Sequence, residues 1–105
     1  MCLKLGGKMP LINVKLIGLL RGLAGKDVFE IEVEGTKKIT MLLDELLGKV
    51  GREEFRRAVI DPELGSPRPN LLILINGREI SSLSGLETTV GESDEVVLVP
   101  VSHGG

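Results

Sequence analysis

Within Asp27 to Glu34, apolar and acidic residues alternate from Phe29 onward, with Phe29, Ile31 and Val33 in one set and Glu30, Glu32 and Glu34 in the other. A period of two sends successive side chains to opposite faces of a strand, so this segment reads as a strand with one dry and one wet face. After Gly35 the period changes. Ile39, Leu43, Leu46, Leu47 and Val50 recur at spacings of three and four, which lines them along one helix face, with Thr40 as the N-cap and Gly51 as the stop. A strand and a helix that each carry a single apolar face must bury those faces together.

The remaining segments supply more strands. Leu11 to Arg21, rich in Leu, Ile and Val with Asn13 and Lys15 interleaved, reads as a strand, and Gly22 to Lys26 as the turn that closes a hairpin onto Asp27–Glu34. Arg52 to Ile60 reads as a further helical turn whose Arg52, Glu53, Glu54, Arg56 and Arg57 form a solvated face. Asp61 to Asn70 holds Pro62, Gly65, Pro67 and Pro69, which is loop chemistry. Leu71 to Ile75 is a continuous apolar strand, followed by the tight-turn pair Asn76-Gly77 and a short strand at Arg78 to Ile80 with surface charges at Arg78 and Glu79. Ser81 to Ser93 reads as a polar connection, and Glu95 to Val101 as the last strand. The order predicts an α+β domain, with a mixed sheet of four to five strands and one main helix across one face. The expected layout is a flexible extension over residues 1–10, the domain over 11–101 and a flexible tail over 102–105.

Composition removes several function classes. A chain of 105 residues is one domain, and with two Phe, no Tyr and no Trp its core must be built from Leu, Ile and Val. There are no aromatic platforms for base stacking, and 13 Lys and Arg against 15 Asp and Glu give a net charge of -2, which argues against direct nucleic-acid binding. Cys2 and His103 are the single residues of their types, so one chain cannot assemble a disulfide or a Cys/His zinc site. Cys2 reads as an ordinary thiol and His103 as a binding or solvent-facing residue rather than an acid-base catalyst. Leu11 to Gly25 has the outline of a signal peptide, but Lys15 and Arg21 interrupt it, and no stretch is long enough to span a bilayer; the expected location is the cytoplasm.

The last strand leads directly into Ser102-His103-Gly104-Gly105, where the given sequence ends. Without Cβ atoms, such a terminus can thread a narrow channel and be approached from any side. Order of elements and ending together resemble the ubiquitin-like β-grasp fold and its sulfur-carrier members, over Leu11 to Gly105. Leu20-Arg21-Gly22-Leu23-Ala24-Gly25 and Asp94-Glu95-Val96 are similar to the small subunit of molybdopterin synthase. The single Pro100 followed by Val101-Ser102-His103 departs from the paired prolines common in that subunit. His103-Gly104-Gly105 and Arg68 to Asn76 resemble instead the ubiquitin-related modifier, with archaeal small modifier proteins between the two groups.

The resemblance implies a carrier that does no chemistry with its own side chains. A partner adenylyltransferase of the ubiquitin-activating type would consume ATP to activate Gly105, with Gly104 as steric clearance and Pro100, Val101, Ser102 and His103 as the thread. The resulting thiocarboxylate would serve a sulfur acceptor enzyme, a tRNA thiolase or the molybdopterin synthase large subunit, or the activated terminus would be joined to target-protein lysines. The carrier itself is expected to bind no cofactor, metal, nucleic acid or membrane. Two other readings stand beside it: a dedicated molybdopterin synthase subunit, and a non-covalent β-grasp interaction module. For docking, Leu71–Ile75 and Val96–Val99 are apolar on both faces while one helix covers only one. By analogy with the hydrophobic patch of ubiquitin, Leu72, Leu74, Val97 and Val99 are the expected outward set; a register shift of one would substitute Ile73, Ile75, Val96 and Leu98, and loops or a dimer are the other possible cover.

Overall fold

The computed structural model describes residues 10–67, 69 and 71–101. Its main sheet has five strands in the order β2-β1-β9-β6-β7, formed by β1 (Leu11–Leu16), β2 (Val28–Glu32), β6 (Leu71–Ile75), β7 (Arg78–Glu79) and β9 (Glu95–Pro100). β1 and β2 pair antiparallel, β9 runs parallel to β1 through the middle, and β6 pairs antiparallel to β9. The sheet is therefore mixed, with the first and last strands side by side at its centre.

Alternation decides which residues reach the core. Ile12, Val14 and Leu16 of β1, Phe29 and Ile31 of β2, Leu71, Ile73 and Ile75 of β6, and Val96 and Leu98 of β9 are all buried on one face. Against that face lies α2 (Ile39–Val50), which buries Ile39, Leu42, Leu43, Leu46 and Leu47. Burying side chains of this size contributes about 1.5–3 kcal/mol each, so the core is built from Leu, Ile and Val with Phe29 and Phe55 and without Tyr or Trp. α2 stops where expected: Gly51 takes φ 65° and its N–H bonds the Leu47 carbonyl, a left-handed cap that glycine adopts without Cβ strain.

The start of α2 differs from the sequence expectation. Lys38 occupies the N-cap and Thr40 sits exposed inside the first turn. The reason is tertiary: the N–H of Ile39 is taken by the carbonyl of Thr88 at 2.9 Å, and β3 (Thr36–Lys38) pairs with β8 (Thr89–Gly91), which fixes the entry angle. Ser81 to Ser93 is thus structured rather than a plain loop, holding two 3₁₀ turns (Ile80–Ser82 and Gly85–Glu87) before β8. Glu79, expected as a surface charge, accepts hydrogen bonds from the N–H and hydroxyl of Ser81 and caps the first of these turns.

The first connection also differs. β1 ends at Leu16, Gly18 turns the chain with φ 64° and ψ -137°, and Leu19–Ala24 forms a short helix, α1, rather than more strand and a turn. Leu20 and Ala24 are buried beneath it. α3 (Glu53–Val59) confirms the second helical segment: Phe55 and Val59 are buried while Arg52, Glu53, Glu54, Arg56 and Arg57 are exposed. The Arg52 guanidinium donates to the Leu23 carbonyl at 3.1 Å, tying α3 to the end of α1. Among the described residues the proline-rich segment forms a two-residue ladder between β4 (Ile60–Asp61) and β5 (Ser66–Pro67), closed by a turn in which Asp61 Oδ1 accepts from the Glu63 and Leu64 N–H groups.

Candidate functional site

The strand that leads to the glycine pair is held at the centre of the sheet. Asn76 and Gly77 both take positive φ, 52° and 86°, as a tight two-residue hairpin requires. The Asn76 side chain then reaches the start of β9: its amide donates to Asp94 Oδ1 at 2.9 Å, its Oδ1 accepts from the Glu95 N–H at 3.0 Å, and its own N–H bonds the Glu95 carbonyl. The second oxygen of Asp94 accepts from the Gly91 N–H at 2.8 Å, closing the turn before β9. Three segments are thereby locked at one point, and the register of β9 against β6 follows. The sequence pointed to the Asn-Gly turn and to Asp94-Glu95 separately, but the hydrogen bonds joining them cross 18 residues and have no periodic signature.

That register settles the parity of the outer face. Leu72 stands opposite Val99 and Leu74 opposite Val97. Leu72 is 36% exposed and the other three are half-buried, on the face away from α2, whereas Ile73, Ile75, Val96 and Leu98 are in the core. The expected set is the outward one, and the alternative set is excluded. Directly opposed strand residues have Cβ atoms about 4.5–5.5 Å apart, so the four side chains form one continuous apolar strip. Lys15 neighbours Val97 across the β1–β9 pairing and Glu79 opposes Leu74 on the other side, giving the strip a charged rim.

At the far end of β9, Pro100 is half-buried opposite Leu71, and Val101 is half-buried beyond it. Pro100 also meets Gly18, where an added Cβ would stand 3.5 Å from the proline Cγ. The Pro100 distance is ordinary van der Waals contact, so it is the positive φ that explains why glycine occupies the turn after β1, a position without a periodic signature in the sequence. Ser102, His103, Gly104, Gly105 and Cys2 lie outside the described residues. Among the described residues there is no cluster of His, Cys, Asp or Glu able to hold a metal ion. Among the same residues no helix is long and apolar enough to cross a membrane.

The sequence profile of the ThiS family matches residues 14–105. The chain belongs to the ThiS family. A protein of Archaeoglobus fulgidus described as a candidate sulfur carrier is 34% identical over 80 residues, covering 72% of this chain and 84% of its own length. Among solved structures, the small archaeal modifier protein 1 of Methanosarcina acetivorans superposes with a TM-score of 0.77 at 30% identity, covering 94% of this chain and all of that one. Its counterpart from Haloferax volcanii gives 0.75 at 26% identity, covering 90% and 99%. The fold is accordingly the ubiquitin-like β-grasp, and this ThiS-family chain is a member of the sulfur-carrier and modifier group, whose proteins are small carriers rather than enzymes.

Proposed function

We propose that this protein carries sulfur on its terminal carboxyl group, activated and unloaded by partner enzymes that dock on the Leu72, Leu74, Val97 and Val99 strip. The observation that carries the reading is geometric. β9 supplies half of the exposed strip and runs on, through Pro100 and Val101, toward the glycine pair. An enzyme seated on the strip is therefore in register with the segment it must draw in.

A free carboxylate resists nucleophilic attack, so activation comes first. An oxygen of the Gly105 carboxylate attacks the α-phosphorus of ATP held by the activating partner, forming a C–O–P bond and releasing pyrophosphate. Sulfide from a sulfur donor then attacks the carbonyl carbon; the C–S bond forms, the C–O bond to AMP breaks, and the thioacid loses its proton to give the thiocarboxylate. Splitting one difficult substitution into two easier ones is the general advantage of an activated covalent intermediate. Gly104 leaves the approach to that carbon free of side chains, and Ser102 and His103 complete the thread. The thiocarboxylate then delivers sulfur to a tRNA base or a pterin precursor held by an acceptor enzyme. Lysine amines attack the same acyl-adenylate to give isopeptide conjugates, an outlet supported by the 30% identity to a protein named as a modifier.

The test is ATP-pyrophosphate exchange with the activating enzyme of the source cell. The full chain supports exchange and a chain lacking Gly104 and Gly105 does not. Equal exchange by both chains overturns the reading, and retention of cellular function by the shortened chain identifies a plain docking module.

A further inference from the structure

Among the described residues the main sheet ends at β2, whose second side pairs with no strand. The phase of its backbone groups follows from the ladder. The Val33 N–H bonds the Pro10 carbonyl at 3.0 Å and the Leu16 N–H bonds the Asp27 carbonyl at 2.7 Å, so in an antiparallel pair the intervening bonded positions on β2 are Phe29 and Ile31. Val28, Glu30 and Glu32 turn their N–H and C=O groups the other way, to the open edge. The Glu32 carbonyl already accepts from Lys37 Nζ at 2.9 Å, and Lys37 is ion-paired with Glu45. Among the described residues, Val28 and Glu30 are left presenting a donor and an acceptor each.

The two faces beside this edge differ in character. On the outer face Val28, Glu30 and Glu32 are exposed, so a neighbouring strand would meet two carboxylates there. The edge also borders a shallow groove of about 440 Å³ lined by Glu32, Val33, Glu34, Lys37, Met41 and Glu45, whose exposed apolar member is Met41, 55% exposed. We propose that the open edge of β2 binds an extended segment of a partner protein in which basic residues alternate with apolar ones, the basic side chains beside Glu30 and Glu32 and the apolar ones toward Met41. Backbone bonds of an added strand give affinity, and alternate side chains give selection. A second copy of this chain is the wrong occupant, because pairing β2 with itself would set glutamates against glutamates, and directly opposed like charges are destabilising.

The edge is separated from β6 by β1 and β9, so it remains free while an enzyme occupies the Leu72 strip. This site goes beyond the carrier reading and does not depend on it. The probe is a capped synthetic peptide, Lys-Val-Lys-Val-Lys, titrated into the isotopically labelled full chain while backbone amides are followed by nuclear magnetic resonance. The amides of Val28 and Glu30 shift and gain protection from hydrogen exchange, those of Leu72 and Val99 do not move, and the corresponding Glu-Val peptide has no effect. Glu30→Lys with Glu32→Lys, both exposed and compatible with the fold, weakens binding about tenfold, whereas Lys37→Ala tightens it by releasing the Glu32 carbonyl. The proposal is overturned if the Lys-Val peptide leaves Val28 and Glu30 unmoved, if the Glu-Val peptide binds equally, or if binding appears only after removal of the residues before Pro10, which would show that the chain covers its own edge.

Discussion

The constraint on Gly18 is its backbone conformation. Its φ of 64° with ψ of -137° lies where only glycine is unstrained, and the Pro100 ring packs over it. Holding a residue with a Cβ in such a conformation costs about 1–3 kcal/mol. Gly18→Ala is expected to lower the free energy of unfolding by that amount in a denaturant titration and to loosen Pro100 against the first turn; an unchanged midpoint would show that the turn relaxes freely. Asn76 is the second such residue, joining Asp94 and Glu95 to the hairpin. Asn76→Ala removes two side-chain hydrogen bonds and is expected to cost about 1–3 kcal/mol, measured the same way. Asp94→Ala, which breaks the same network from its other end, should show a non-additive effect when combined with it.

Within β6 neighbouring residues have opposite tasks. Ile73 is 2% exposed and Leu72 is 36% exposed, so Ile73→Ala should destabilise by about 2–5 kcal/mol. Leu72→Glu should leave stability within about 0.5 kcal/mol while slowing adenylation by the activating enzyme at least tenfold, the factor that a loss of about 1.4 kcal/mol in docking produces. Comparing denaturation midpoints with pyrophosphate exchange rates separates the two roles. The elements themselves were legible in uneven measure. β2 and α2 were plain because an alternation of Phe29, Ile31 and Val33 and a helical spacing from Ile39 to Leu47 are local patterns. α1 was hidden because Leu19–Ala24 continues the apolar run of β1, and short apolar runs fit strand and helix alike; only the backbone at Gly18 marks the break. β8 and the true start of α2 depend on the Thr88 carbonyl meeting Ile39, a contact across 49 residues that no window contains. The outward parity of Leu72, Leu74, Val97 and Val99 required the register of β9 on β6, which the Asn76 network supplies.

At the scale of the whole molecule, the last strand is the central feature of the sheet. The first and last strands lie together in the middle of the sheet, α2 closes one face, and the other face keeps an apolar strip that continues into Pro100 and Val101. That arrangement, with membership of the ThiS family over residues 14–105, carries the account. Its central claim is that the last carbonyl of the chain bears sulfur. The direct measurement is the intact mass of the protein isolated from its own cells, with peptide mapping of the carboxyl-terminal fragment. The account predicts a fraction in which one oxygen is replaced by sulfur, localised to Gly105 and increased by incubation with ATP, a sulfur source and the activating enzyme. A carboxyl-terminal peptide that stays unmodified after that incubation would contradict it.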